Sequence, residues 1–183
     1  MDLKAIAMIE LNSIAKGVEA ADEMLKSAEV ALVMAQPICA GKYMALVSGD
    51  VDSAERALEV GKEVSGEFLV DDFLIPNVHE SVFPALTATT RIHDIDSLAV
   101  IETFSVAASI LAADAAVKAA AVDLIEIRCA TGLGGKSFLY LTGDVSSVNS
   151  AVEAGIDVLK GTGLILSHVI IPSPSREIGR SIL

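Results

Sequence analysis

Aromatic residues are scarce in this chain. Phe, Trp and Tyr together make up 4% of its 183 residues, and tryptophan is absent. Since 52% of the sequence is apolar, the core has to be built from Ala, Val, Leu and Ile, which suit close packing of helix on sheet. Cysteine is nearly missing as well, with two in the chain. Two thiols cannot assemble a four-thiolate metal site, and their spacing matches no metal motif, which points to a reducing compartment. The three histidines, His79, His93 and His168, share no ligand spacing with each other or with the cysteines, so surface or interface positions are expected for them rather than zinc. Basic residues number 13 against 25 acidic ones, a net charge of −12. That balance argues against nucleic acid, which needs a basic face.

No run free of Asp, Glu, Lys and Arg reaches the ~18 residues needed to span a bilayer. The longest, Gly161 to Ser175, holds prolines, serines and a histidine. The opening MDLKAIAMIE has no basic region followed by an apolar run, so it does not read as a signal peptide. The expectation is a soluble, cytoplasmic protein with no membrane partner. No Ser/His/Asp arrangement and no pair of catalytic carboxylates stands out, so an enzyme is not expected.

What the chain does have is a repeat of itself, the feature that decides architecture. AMIELNSIAKGVEAADEMLKSAEVAL, from Ala7, matches AVIETFSVAASILAADAAVKAAAVDL, from Ala99, at an offset of 92 residues. Glu10, Ser13, Asp22 and Lys26 fall on Glu102, Ser105, Asp114 and Lys118. At an offset of 94, Gly41-Lys42 falls on Gly135-Lys136 and SGDV on TGDV; at 96, LIP from Leu74 falls on IIP from Ile170. One small domain is duplicated, with copies at 1–92 and 93–183.

Each copy reads as β-α-β-β-α-β. Apolar segments at Ala5–Ile9 and Leu98–Ile101 are expected strands. Helices follow, capped by Asn12 or Ser13 and by Ser105. Their apolar stripes, Ile14, Val18, Ala21, Leu25 and Ala28, then Val106, Ile110, Ala113, Val117 and Ala120, keep one helical face. Two strands then flank a loop (Val30–Gln36 and Lys42–Val47; Val122–Arg128 and Lys136–Leu141). Asp50 and Asp144 are expected to cap a second helix, and a last strand (Phe68–Ile75; Leu164–Ile171) leads to a Pro-led tail with a short helix. The class is α+β, two tandem ferredoxin-like (βαββαβ) domains. Gly61 and Gly155 fall inside the second helices, where glycine costs about 1 kcal/mol against alanine. Close helix packing and a frayed last turn are both compatible with them.

The two hairpin loops are QPICAGK and RCATGLGGK, the second two residues longer. Ala130 to Ser137 is one residue away from the phosphate-binding pattern G-x-x-x-x-G-K-S. That pattern works at a strand-to-helix turn, whereas here the context is strand to strand. Cys39 sits on the first loop. A lone cysteine is most often a small buried thiol. Cys129 aligns with Pro37 rather than with Cys39 and has no assigned role. Lys26 and Lys118, near helix C-termini, read on their own as solvated lysines favouring the helix dipole.

The IELNSIAKGVEAADEMLKSAEV block, the GK…SGDV block and the LIPNVH ending resemble the bacterial microcompartment (BMC) shell domain over nearly the whole chain. Two copies in one chain resemble the tandem-domain shell proteins, and ELNSIAKGVEAADEMLKSAEV with PICAGK resembles the PduT type. The resemblance implies a homotrimer forming a six-domain ring that tiles edge to edge with other shell proteins in the microcompartment shell. It places the pore on Pro37, Ile38, Cys39, Ala40, Gly41 and Lys42 of the first loop and on Thr131, Gly132, Leu133 and Gly134 of the second (Ala130–Gly135). It makes Lys26 and Lys118 edge contacts. The tail turns IPNVHES and IPSPSRE depart from the family's Arg-rich pattern. In the PduT type the pore-loop cysteine of three subunits binds one iron–sulfur cluster, a [4Fe-4S] cluster that aerobic preparation can strip. Cys39 matches that position, and backbone N–H groups of Ala40, Gly41 and Lys42 are expected near cluster sulfur. The implied role is electron transfer across the shell, with encapsulated redox enzymes as partners. The alternatives are a metal-free metabolite pore and a soluble ferredoxin-like trimer that binds an effector.

Overall fold

A computed structural model describes residues 4–183. The first three residues, which open the first expected copy and the segment read against a signal peptide, lie outside the described residues. The first set of elements is β1 (Ala5–Leu11), α1 (Ile14–Ser27), β2 (Ala31–Ile38), β3 (Lys42–Gly49), α2 (Val51–Ser65) and β4 (Leu69–Ile75), followed by the short helix α3 (Val82–Leu86). The second is β5 (Ser97–Thr103), α4 (Val106–Ala119), β6 (Asp123–Arg128), β7 (Ser137–Gly143), α5 (Val145–Asp157) and β8 (Ile165–Ile171), followed by α6 (Arg176–Ile182). Each set makes a four-stranded antiparallel sheet, ordered β2-β3-β1-β4 and β6-β7-β5-β8. This is the expected α+β fold, twice. Among the described residues no helix is long and apolar enough to cross a membrane.

The helix starts follow from local chemistry. Ser13 accepts the Lys16 N–H, Ser105 the Ala108 N–H, Asp50 the Ser53 N–H, and Asp144 the N–H groups of Ser146 and Ser147. These bonds satisfy donors that a helix leaves unpaired in its first turn. The backbone N–H and hydroxyl of Ser53 hold the Asp50 carboxyl below its ordinary range. The hydroxyl and N–H of Ser147 do the same for Asp144.

By packing, residues 4–78 with Thr131–Gly135 form one compact unit, and His79–Ala130 with Lys136–Leu183 the other. The division expected between 92 and 93 follows the repeat, whereas residues 79–92 pack with the second unit. The reason lies in what this segment buries. Val82 and Ala85 are wholly enclosed and Leu86 nearly so, α3 lies on α4 and β6, and the His79 N–H donates to Asp114 Oδ1 at 2.8 Å.

In the first unit Ala5, Ala7, Ile9 and Leu11 of β1 share a sheet face with Tyr43, Ala45 and Val47 of β3. Period-two alternation puts them there. Against them pack Ala20, Ala21 and Met24 of α1 and Ala54, Ala57 and Leu58 of α2. Each fully buried Leu, Ile or Met contributes roughly 1.5–3 kcal/mol. The expected α1 stripe needs correction. The buried face is Gly17, Ala20, Ala21 and Met24, while Ile14 is 44% and Val18 52% exposed. The smallest residues face inward because they let the helix approach the sheet closely. In α4 the expected Val106, Ile110, Ala113 and Val117 are all buried.

Glycine explains how close the layers come. A Cβ on Gly61 would lie 2.8 Å from Met24 Sδ, and one on Gly155 3.0 Å from the Ala112 carbonyl oxygen, so close helix packing is the role of both. Gly17 is tighter still, since its Cβ would lie 2.5 Å from the Tyr43 side chain. The repeat resolves this site differently. Gly17 and Tyr43 fall on Ser109 and Ser137, both buried, with Ser109 Oγ 2.8 Å from Thr103 Oγ1 and Ser137 donating to the Arg128 carbonyl. Gly17→Ser is therefore expected to destabilise the protein by about 1–3 kcal/mol through overpacking. Adding Tyr43→Ser should return part of that loss. A double-mutant cycle in thermal unfolding checks it, and strict additivity would contradict the steric account.

Candidate functional site

The β2–β3 pairing runs to Ile38 opposite Lys42, which leaves Cys39, Ala40 and Gly41 as the turn. Gly41 has φ +74° with nothing near its missing side chain, a conformation that suits glycine. Of the residues expected to line a pore, Pro37 and Ile38 end β2 and Lys42 opens β3. Pro37, Ala40 and Gly41 are exposed, Cys39 and Lys42 half-buried, and Ile38 buried.

Thr131–Gly135 packs in the same unit as this turn. Gly132, at φ +75°, donates its N–H to Cys39 Sγ at 3.2 Å. A Cβ on Gly135 would lie 3.5 Å from the Cys39 carbonyl oxygen. The residues Thr131, Gly132 and Gly134 are exposed and Leu133 half-buried. The sulfur's donor thus comes from the other loop. It is a donor to the thiol itself, separate from the N–H groups of Ala40, Gly41 and Lys42 expected near cluster sulfur. Nothing in the sequence alone marks a contact across 93 residues, although three glycines in GLGG and its flank signal a backbone that comes close to something. Cys129 is elsewhere, buried at the end of β6 with its Sγ 3.7 Å from the Ile127 carbonyl.

The recurrent charges pair with each other. Lys42 Nζ lies 2.6 Å from Glu10 Oε1, and Lys136 Nζ 2.6 Å from Glu102 Oε1. Glu10 is fully buried and Lys42 19% exposed, against 32% and 43% for the second pair. Each strand pair sets the contact, because Glu10 stands opposite Met44 and Glu102 opposite Phe138. The phosphate-loop likeness fails on the same ground. Its lysine is committed to Glu102, and the segment joins two strands. Lys26 bonds Asp22 and Glu23, and these two carboxylates, Asp22 first, raise its pKa. Lys118 bonds Asp114 at 2.5 Å. Asp22–Lys26 and Asp114–Lys118 are i,i+4 pairs and Glu23–Lys26 an i,i+3 pair, with Asp114 buried.

Among the described residues no three His, Cys, Asp or Glu side chains gather to hold a metal ion. The described residues of one chain thus offer a thiol at a turn and an N–H aimed at its sulfur. Such a donor fits a cluster whose thiolates come from several chains, because clusters take thiolate ligands and N–H groups tune their sulfur.

The profile of the BMC domain matches residues 5–78 and again 97–174. The bacterial microcompartment shell protein PduT of Citrobacter freundii is 41% identical over 98% of both chains. The carboxysome assembly protein CcmO of Synechococcus elongatus is 32% identical over 93% of this chain, which spans 65% of that protein. The crystal structure of a microcompartment protein from Desulfitobacterium hafniense superposes with a TM-score of 0.89, at 47% identity, over 96% of this chain and 98% of that one. The two curated relatives are shell and assembly proteins, not enzymes.

Proposed function

This chain belongs to the bacterial microcompartment shell proteins, with the BMC domain twice in tandem, and from that premise we propose that three copies close a six-domain ring whose pore holds one iron–sulfur cluster. The ring is a tile of the shell, edge to edge with other shell proteins, with Lys26 and Lys118 at its edges. Two unlike loops alternate around the axis, the Cys39 turn and the 131–134 segment. The symmetry is therefore threefold in chemistry though sixfold in fold.

The observation that carries this reading is the Cys39 thiol on the β2–β3 turn, with the Gly132 N–H directed at its sulfur and, among the described residues, no gathering of three His, Cys, Asp or Glu side chains to hold a metal within one chain. A threefold axis turns one thiol per chain into three. The cluster would supply one-electron redox chemistry at the pore, moving electrons between encapsulated enzymes and the outside. Cys39 is the ligand. Gly132 places a partial positive charge at the sulfur, which favours the thiolate and helps to set the potential. Exposed Ala40 and Gly41 keep bulk away from the turn.

Anaerobic reconstitution with iron and sulfide tests the proposal. The protein should turn brown, run at the mass of three chains, and hold about four irons per three chains, the content of one [4Fe-4S] cluster. A colourless trimer without iron would leave the metal-free conducting pore as its function. A protein that binds an effector and never forms sheets would speak for the soluble trimer.

A further inference from the structure

The repeat separates residues that the fold needs from residues that it does not. Helix caps and the strand ion pairs occur in both copies. Arg176 and Arg180 do not. At the offset of 96 they fall on Glu80 and Pro84 of the first copy, so no structural demand shared by the copies calls for them. Neither is committed to a carboxylate. Arg56 pairs with Glu59 and Arg128 with Glu126, whereas among the described residues Arg176 and Arg180 have no ion-pair partner, although Glu177 lies between them in sequence. In a chain of net charge −12, two such guanidinium groups need another reason.

Both line one cavity of the second unit, about 470 Å³ in volume, between α6 and the segment that leads into β5. Helix α6 contributes Arg176, Gly179 and Arg180, and the segment contributes His93, Asp94 and Ile95. The two arginines stand four residues apart, so they share a face of the helix, where like charges repel. An anion held between them turns that repulsion into attraction. Gly179 keeps the space open, since a Cβ there would meet nothing nearer than Ile95 Cδ1 at 3.9 Å.

We propose that this cavity binds a small hydroxylated organic phosphate. Each guanidinium presents parallel N–H donors that match two phosphate oxygens. His93 adds a ring N–H, which imidazole carries in either protonation state. Asp94 opposes a bare anion and suits a ligand that also bears a hydroxyl group, which donates to its carboxylate. The volume falls within the roughly 300–1,000 Å³ of small-molecule sites, more than an inorganic ion fills, and Ile95 with Pro174 gives the carbon frame an apolar wall. Elsewhere the acidic chain repels anions, so a local basic site sets where one is held. The site shares no residue with the two loops around Cys39 and does not depend on a cluster.

Titration calorimetry of the full chain at constant ionic strength tests the proposal, with glycerol 3-phosphate as the probe. Saturable binding is expected, weaker for inorganic phosphate and absent for glycerol. Arg176→Gln and Arg180→Gln should each weaken it by about tenfold or more, the loss expected for a hydrogen bond to a charged group. Both side chains are exposed, so the far-ultraviolet dichroism should not change. Gly179→Leu, which fills the cavity and keeps both arginines, should remove binding. Arg91→Gln is the control, because Arg91 also has no ion-pair partner among the described residues but does not line the cavity. It should bind as the wild type does, and so should Cys39→Ser, which reads the ligand separately from the cluster. An absence of saturable binding, binding retained in Gly179→Leu, or an equal loss in Arg91→Gln would overturn the site. Equal affinity for inorganic phosphate would overturn the organic ligand.

Discussion

Anaerobically reconstituted Cys39→Ser protein is expected to be colourless and free of iron while still running at the mass of the wild-type trimer. The turn holds a half-buried thiol that accepts the Gly132 N–H, and serine oxygen can accept that bond. The backbone of the loop therefore has no reason to rearrange. What is lost is the soft thiolate that iron–sulfur clusters require. Cys129→Ser should keep both colour and mass, because Cys129 is buried at the end of β6 rather than on the turn. Iron and sulfide analysis beside light scattering checks both variants. Iron retained in Cys39→Ser would remove this residue from the account.

Lys42→Met should lower stability by about 3–5 kcal/mol, the cost of breaking a buried ion pair from one side. Glu10 is fully enclosed and its carboxylate meets Lys42 at 2.6 Å. The equivalent Lys136→Met should cost about 1 kcal/mol or less, since Glu102 and Lys136 are 32% and 43% exposed and water screens the pair. One ion pair, duplicated by the repeat, thus predicts two very different results, set by burial alone. Apparent melting temperatures at fixed chain concentration compare the two variants. Glu10→Gln combined with Lys42→Met should recover much of the loss. Equal effects at the two sites would show that burial does not govern the pair.

Much of this was legible in the sequence because duplication writes each structural requirement twice. Ser105, Asp50 and Asp144 are legible as caps because the chemistry of a helix start is local, and of the pair Asn12 or Ser13 it is Ser13 that caps α1. Glu10 with Glu102 and Lys42 with Lys136 were visible as recurrences but not as pairs. Joining them takes the β1–β3 register, which is a tertiary fact. The α1 stripe was misplaced for a related reason. Periodicity ranks residues by apolarity, whereas packing against Tyr43 selected the smallest side chains, Gly17 and Ala20, for the inward face. The Gly132 donor to Cys39 was invisible because it joins loops far apart in the chain. The packing of residues 79–92 with the second unit was equally hidden. A boundary drawn from the repeat assigns them to the copy they follow, and only the burial of Val82 and Ala85 shows where they belong.

The central claim is that Cys39, alone in its chain, works as one of three. The most direct test mixes wild-type and Cys39→Ser chains in equal amounts, lets trimers form at random, and measures cluster content after anaerobic reconstitution. If every cluster needs three thiolates, about one-eighth of the wild-type content should remain, the share of random trimers with three wild-type chains. A content of about one-half would contradict the account, because it would mean that single chains or pairs of thiolates hold the cluster.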